Sequence, residues 1–416
     1  MKIILAPAFV VMLIVPAMAE ETVFISTGSL TLKEALAEAR ERSPEILAAR
    51  KFWEALASRP VGAAAPENPR LDIERMYASG GRNIITGAEE KNFMLSQEIP
   101  FPAKLHLRKR VALKAAAMAE QGYLAKIRDV LARVRSIYAM LYLSHKNLEL
   151  FNENIELLRR FAKVAESKYA AGRASQSDVL KAHVELSKML NMLVVVNQDK
   201  EAAGFMLNAL LGRAPESALG VPVDLDSKKL DYSLDELERQ ALQSRPQLLE
   251  AALGVERAAG ALSLARSEFF PDFMLQYRQR RDSMRGSSQD AMIGFTIPLW
   301  FWKPAAMAAE AKSELQMFQA QLQATRLMTL SEVRASFVRA RTSQRLIELY
   351  RNGVLAQAEG ALKVVEASYQ ADKASFLDLV DGQRAFLNFK LEYYQYIAEY
   401  EQRLAELERA VGKELL

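Results

Sequence analysis

Apolar and polar positions along this chain follow two different periods, and the two alternate in blocks. Ile127, Val130, Leu131, Val134, Ile137, Tyr138 and Leu141 fall three and four apart, which is one face of a helix. Leu71, Ile73 and Tyr77 instead alternate with Asp72, Glu74 and Met76, and Phe93 and Leu95 alternate with Asn92, Met94 and Ser96. That period of two marks strands with one apolar and one polar face. The turn-rich segment Ala78–Asn83 predicts an exposed connection between them.

The strand block recurs. Phe273, Leu275 and Tyr277 alternate with Asp272, Met274, Gln276 and Arg278, and Ile293, Phe295 and Ile297 alternate with Gly294 and Thr296. A loop is expected between them at Asp282–Asp290. After each strand pair comes a run without proline, residues 103–214 and 305–416, each 112 residues long. An internal proline kinks or breaks a helix, so both proline-free runs read as long helices. Each is interrupted by a small polar patch, Ala170–Ser175 and Gln370–Ser375. Two helices joined by a tight turn fit this pattern. The first, from about Ala103 to about Tyr169, would be ~100 Å long at 1.5 Å per residue.

The repetition spans the chain. The opening Leu30–Leu36, with Thr31 and Glu34 as a capping box, matches Tyr232-Ser233-Leu234-Asp235-Glu236-Leu237 at an offset of 202. Ile99-Pro100 maps to Ile297-Pro298 at 198, and Tyr169, Ala174, Ser175 and Asp178 map to Tyr369, Ala374, Ser375 and Asp378 at 200. Gly212 maps to Gly412, each a glycine stop. The organisation that follows is a signal segment at 1–19, a first repeat at 20–231 and a second at 232–416. The first repeat holds a strand pair at 70–99 and a helical hairpin at 103–212, and the second holds a strand pair at 272–297 and a hairpin at 303–413. Ser43 is expected to cap a helix that starts at Pro44 and runs to about Ser58, with Pro60, Pro66 and Pro69 breaking it.

Residues 1–19 carry Lys2, an apolar core from Ile3 to Val15, and Ala17-Met18-Ala19 as a cleavage site. Export with cleavage before Glu20 is expected. No later run is apolar enough for a spanning helix. The chain has no cysteine, so disulfides, thiolate metal sites and a lipidated cysteine are excluded. A net charge of +4 without a basic, aromatic-laced stripe gives no support for nucleic-acid binding. His106, His145 and His183 lack metal-ligand spacing, and no nucleophile–base pair or phosphate loop is present. Neither an enzyme nor a resident cofactor is expected.

Strands of eight to ten residues have the length that crosses an outer membrane when tilted. Four strands cannot close a barrel, and a conducting pore needs at least three chains. Open edges in lipid make such closure obligatory.

The motif Tyr169, Gly172, Ser175, Asp178, repeated as Tyr369, Ser375, Asp378, together with the capping-box opening and the paired strands, resembles the outer-membrane efflux factors of the TolC family. The resemblance covers essentially the whole mature chain. It implies a mainly α fold with a small β part: a homotrimer whose four strands per chain make a twelve-stranded barrel above an α-helical tunnel. It implies the outer membrane of a Gram-negative bacterium, with the helices in the periplasm and lipid around the barrel. The partners would be a periplasmic adaptor and an inner-membrane pump of the RND type. Gln97–Lys104 looks like the heavy-metal, CzcC-like branch, although Ala103-Lys104-Leu105 stands where that branch carries Gly-Lys-Arg. Heavy-metal cations or small toxic compounds are then the expected cargo.

The resemblance also implies a periplasmic gate at the helix tips, lined by Tyr369, Asp378 and Asp381 in the second copy and by Asp178 in the first. The family's arginine falls at Ala374. Asp372 replaces Gly172 in the second copy, leaving open whether that turn is built the same way. Ser175/Asp178 and Ser375/Asp378 have capping-box spacing, and capping alone would account for them. Asp381 lies too deep in its helix to cap. Lys181 occupies its place in the first copy, and a Lys181–Asp381 pair between neighbouring helices would help close the tip. Trp300, Phe301 and Trp302 follow a strand and suit either an interfacial aromatic belt or packing at the barrel–helix junction. Lys104, Arg108, Lys109 and Arg110 are expected in water or near headgroups. Two other classes compete. A periplasmic adaptor would carry β-rich domains around one hairpin, and a structural coiled coil would carry sustained heptads without strands. Drug export and type I protein secretion are alternative duties for a duct.

Overall fold

The structure is a computed structural model and describes residues 28–76, 90–225, 229–282 and 286–415. The signal segment and the Ala78–Asn83 connection lie outside these residues. In the first copy β1 (Ser29–Leu30), α1 (Leu32–Arg42) and α2 (Pro44–Ala63) lead into β2 (Arg70–Met76) and β3 (Glu90–Ile99). Then come α3 (Pro102–Ala170), α4 (Gln176–Leu211) and β4 (Val221–Pro222). The second copy repeats the order with α5 (Leu234–Ser244), α6 (Pro246–Ser267), β5 (Asp272–Asp282) and β6 (Gly286–Thr296). It continues with α7 (Trp302–Leu349), a π turn (Tyr350–Val354), α8 (Leu355–Gln370) and α9 (Phe376–Val411).

Helix α3 has 69 residues, about 104 Å at 1.5 Å per residue. The run from Trp302 to Gln370 has the same length but is not uniform, because the π turn interrupts it. Both returning helices have 36 residues and end on a glycine in the left-handed region, Gly212 at φ 75° and Gly412 at φ 80°. A side chain at Gly412 would meet the Arg245 backbone at 2.7 Å, and one at Gly212 would meet the Arg42 carbonyl at 2.6 Å. Each hairpin therefore closes directly against the junction of its two short helices. The predicted stripe on α3 is its packing face: Ile127, Val130, Val134, Tyr138 and Leu141 are buried against α1 and α4 residues such as Ala35, Ala39, Leu207 and Leu211. The Tyr138 hydroxyl donates to the Leu30 carbonyl at 2.8 Å, tying the α3 core to the short parallel pair β1–β4. Burial pushes the Tyr138 phenol up to about 12.

Three local expectations are corrected. Helix α2 continues through Pro60 to Ala63. Pro60 sits in the last turn, and the helix ends three residues after it. Ser43 stands at the N-cap position of α2 but its side chain makes no cap bond. The segment Asp282–Asp290 is mostly strand, since Ser287, Ser288, Gln289 and Asp290 pair with Arg281, Arg280, Gln279 and Arg278. Small polar residues look like a loop, but the ladder is made by backbone groups, which these residues pair with β5 whatever their side chains.

Candidate functional site: an amphipathic sheet and two hairpin tips

The four long strands form one antiparallel sheet in the order β2-β3-β5-β6. β3 pairs with β5 over ten positions, Glu90↔Asp282 to Ile99↔Phe273, and so joins the two copies. Directly paired residues share a face. One face carries Leu71, Ile73, Phe93, Leu95, Ile99, Phe273, Leu275, Tyr277, Ile293 and Phe295. Most of these are exposed, Ile293 by 66% and Phe295 by 60%, so this face is apolar and uncovered within the chain. The other face carries Asp72, Glu74, Asn92, Arg278, Arg280 and Asp290, cross-linked by Arg278–Asp290 at 2.9 Å, Arg280–Glu90 at 2.7 Å and Asn92–Glu74 at 3.1 Å. Among the described residues the outer edges of β2 and β6 have no partner strand.

Where the sheet meets the helices, the two copies differ. In the first, Phe101 stacks on Phe270 with ring centroids 4.9 Å apart. Lys104 is corrected here: it is buried rather than solvated, and donates to Asp272 at 2.9 Å and Glu268 at 3.0 Å. Those two carboxylates compensate a cation in a place that would otherwise exclude it. In the second copy Trp300, Phe301 and Trp302 cluster together but stay exposed, at 65%, 66% and 58%. They do not pack into the junction of this chain.

At the far end of the hairpins both turns are built alike. Gly172 has φ 73° and Asp372 has φ 56°. Arg173 and Lys373 close them by donating their amides to the carbonyls of Lys168 and Ser368, both at 2.8 Å. Ser175/Asp178 and Ser375/Asp378 are reciprocal capping boxes. The Ser375 side chain and amide donate to Asp378 and hold its carboxyl below the usual range. The tyrosines diverge. Tyr169 is half exposed, whereas Tyr369 is buried with Ala162, Ala165, Ala182, Phe376, Leu379 and Val380.

Lys168, which the sequence reading passed over, joins the two hairpins. Its ammonium donates to Asp372 Oδ1 at 2.6 Å and to the Tyr369 carbonyl at 2.7 Å, and lies 4.2 Å from the centre of the Tyr369 ring. The ammonium lowers the Asp372 carboxyl below the usual aspartate value. Asp372, a non-glycine residue with positive φ, thus has a charge partner from the other copy.

About nine residues above the Ser375 cap lies a second bridge between copies. Arg384 on α9 donates to Glu185 on α4, a carboxylate only 5% exposed, and to Asp381 at 3.2 Å. Gln383 donates to Asn154 on α3 at 2.6 Å in the interior. The expected Lys181–Asp381 pair is not made within the chain. Asp381 goes to Arg384, three residues on along the same helix face, and Lys181 is exposed with no ion pair among the described residues. The i, i+3 spacing of Asp381 and Arg384 was readable in the sequence, but the partnership with Glu185 needs the two hairpins side by side. His183 faces Glu166 at 3.1 Å across the first hairpin, and among the described residues no cluster of three metal-ligating side chains occurs.

The sequence profile described as outer membrane efflux protein matches residues 35–213 and 237–413, one match per copy. The chain belongs to the outer membrane efflux protein family. A stretch of 260 residues is 24% identical to the cobalt-zinc-cadmium resistance protein CzcC of Cupriavidus metallidurans, covering 61% of this chain and 60% of that relative. The match thus spans less than two thirds of the curated relative's length. Among solved structures, CusC, studied for its folding and transmembrane channel formation, superposes with a TM-score of 0.81 at 17% identity, covering 92% of both chains. The outer membrane protein VceC of Vibrio cholerae superposes with a TM-score of 0.77 at 18% identity, covering 92% of this chain and 97% of that one. Similarity at that identity establishes a shared fold.

Proposed function

We propose that three copies of this outer membrane efflux protein close a twelve-stranded barrel in the outer membrane, with the helical hairpins forming a tunnel into the periplasm. The observation that carries this reading is the four-stranded sheet. It is apolar on one face, charged on the other, and open at both edges among the described residues. An open edge is not tolerated in lipid, and four strands are too few to enclose water. Three sheets joined β6 to β2 put the apolar faces toward lipid and the ion-paired faces toward a channel. The exposed cluster Trp300, Phe301 and Trp302 then sits at the periplasmic headgroup level as an aromatic belt.

The tunnel is a passive duct that receives cargo from a periplasmic adaptor and an inner-membrane pump of the RND type. The similarity to a cobalt-zinc-cadmium resistance protein supports heavy-metal cations as the cargo class. Selectivity belongs to the pump. The hairpin tips, with Tyr169, Gly172, Ser175, Asp178 and Lys181 in one copy and Tyr369, Asp372, Ser375, Asp378 and Asp381 in the other, form the periplasmic gate. Lys168 on Asp372 and Tyr369, and Arg384 on Glu185 and Asp381, favour its closed form.

The test has two parts. Outer-membrane fractions run unboiled should show a species near three times the mass of the boiled mature chain, and it should collapse to that chain on boiling. A strain lacking the protein should lose tolerance to divalent heavy-metal cations and keep tolerance to drugs. A monomer in the periplasmic fraction would overturn the duct. Loss of drug tolerance alone would overturn the cargo class.

A further inference from the structure

The charged face of the sheet also carries sulfur. Met94 pairs directly with Asp72 and Arg278, so it stands on that face. Met274 lies four positions from Arg278 on β5, and Met292 two positions from Asp290 on β6, so both share it. Methionine usually fills gaps in a core. These two do not, since Met274 is 39% and Met292 49% exposed. Gln276 stands among the three sulfurs. It pairs directly with Met292, and its amide donates to the Met94 sulfur. Met274 pairs directly with Gly294, two positions along β6 from Met292. The Met274 methyl lies 3.3 Å from the point where a Cβ on Gly294 would stand. The absent side chain thus lets Met274 lean onto the strand that carries Met292. The two are diagonal neighbours about 7–8 Å apart at the backbone, within reach of each other for long side chains.

Thioethers are soft, neutral donors, and they suit soft metal ions rather than the hard cations that take oxygen ligands. Histidine, aspartate and glutamate form no group of three that could hold a metal among the described residues, so the donors here are of another kind. A thioether pair brings no charge of its own. Glu98 supplies it, exposed and directly across from Met274 on β3. The cations on the flanking positions of this face, Arg70 and Arg278, are each held by an aspartate, Asp72 and Asp290. We propose that Met274 and Met292 bind a soft monovalent cation, cuprous or silver, with Glu98 balancing its charge and Met94 the next sulfur along. The inference rests on the barrel reading above, which turns this face to the channel. It gives the helix end of the barrel a foothold for a soft cation delivered from the tunnel. Passage also requires release, and two neutral thioethers hold such an ion less firmly than thiolates do. Three chains place three such footholds around the channel.

The experiment uses the full mature chain, purified as a trimer in detergent and dialysed against silver nitrate or zinc nitrate in chloride-free buffer. Bound metal is counted by elemental mass spectrometry, and the methionine methyl resonances are followed by NMR. The wild type should bind silver and shift the Met274 and Met292 methyl signals. The variant Met274→Leu/Met292→Leu keeps the side-chain volume and should bind silver about tenfold more weakly while still running as a trimer on unboiled gels. Met76 lies on the same face at the other end of the sheet, paired with Glu90 and 53% exposed. Met76→Leu should bind as the wild type does. If the double variant does not assemble, Met274→Leu and Met292→Leu should each weaken silver binding roughly threefold, and single variants that bind as tightly as the wild type overturn the proposal. Equal silver binding by wild type and double variant also overturns it. An equal loss in Met76→Leu overturns the placement of the site. Zinc binding that falls as far as silver binding in the double variant overturns the assignment to soft monovalent ions. A wild type that forms no trimer overturns the duct reading itself, whereas a trimer whose silver binding ignores Met274 and Met292 overturns only this site.

Discussion

The turn residues Gly172 and Asp372 occupy the same backbone conformation by different means. Glycine enters the left-handed region freely. Aspartate enters it at a cost and is held there by Lys168 from the other hairpin. Gly172→Ala is expected to destabilise the first tip by about 1 kcal/mol, read as a lowered Tm of the solubilised protein, and an unchanged Tm would contradict the strain. The Arg384–Glu185 pair has more weight, because Glu185 is nearly inaccessible. Arg384→Ala should cost roughly 2 kcal/mol, part of the pair's value being screened on the exposed arginine side. Arg384 holds the Glu185 carboxyl below the ordinary value of 4.5. A lowered carboxylate stabilises the fold above its unfolded value and loses that contribution as pH falls through the folded one. Wild-type stability should therefore fall more steeply than that of Arg384→Ala as the pH drops below about 4.5. Parallel pH profiles would place the pair outside the energetics. The sequence displayed the capping boxes because they are local. It hid Glu185–Arg384 because nothing in one helix states which helix will lie beside it.

Among the elements, the strands gave the sharpest agreement between pattern and structure. A period of two assigns each residue to a face, and a slip of one position would turn all of them over. Leu275 and Gln276 are neighbours in β5 on opposite faces. Leu275→Arg should cost about 2–4 kcal/mol, as for a cation near the bilayer midplane, and abolish the heat-sensitive trimer. Gln276→Arg should leave it intact. Equal effects would mean that the apolar face does not meet lipid. The long helices were legible from their lack of proline and their apolar stripe. The π turn at Tyr350–Val354 was not. It is anchored from outside its own segment, by Tyr350 donating to Glu392 and Arg351 to Tyr393 on α9, so no local signal announces it.

For the whole molecule, the proposed gate puts the difference between a closed and an open duct at the hairpin tips. Lys168→Met removes a cross-hairpin ion pair and its bond to the Tyr369 carbonyl while keeping the length of the side chain. Channels reconstituted from this variant should conduct more in planar bilayers than the wild type. Lys181→Ala should conduct as the wild type does, since Lys181 makes no ion pair within the chain. Unchanged current through Lys168→Met would remove Lys168 from the gate. A larger current through Lys181→Ala would reinstate it as a contact between neighbouring copies.

By itself the sequence determined the duplication, the long helical hairpins, the two strand pairs and their faces, and the tight turns with their caps. All of these depend on period, spacing or backbone conformation within a few residues. Only the tertiary structure decided that β3 lies beside β5 and makes one sheet of two copies, that Lys104 is buried between two carboxylates, and that Lys168 and Arg384 tie one hairpin to the other. The reason is physical. A helix or strand advertises which face it must cover, but the partner that covers it, and the charge that meets a buried charge, come from segments some 170 to 200 residues away.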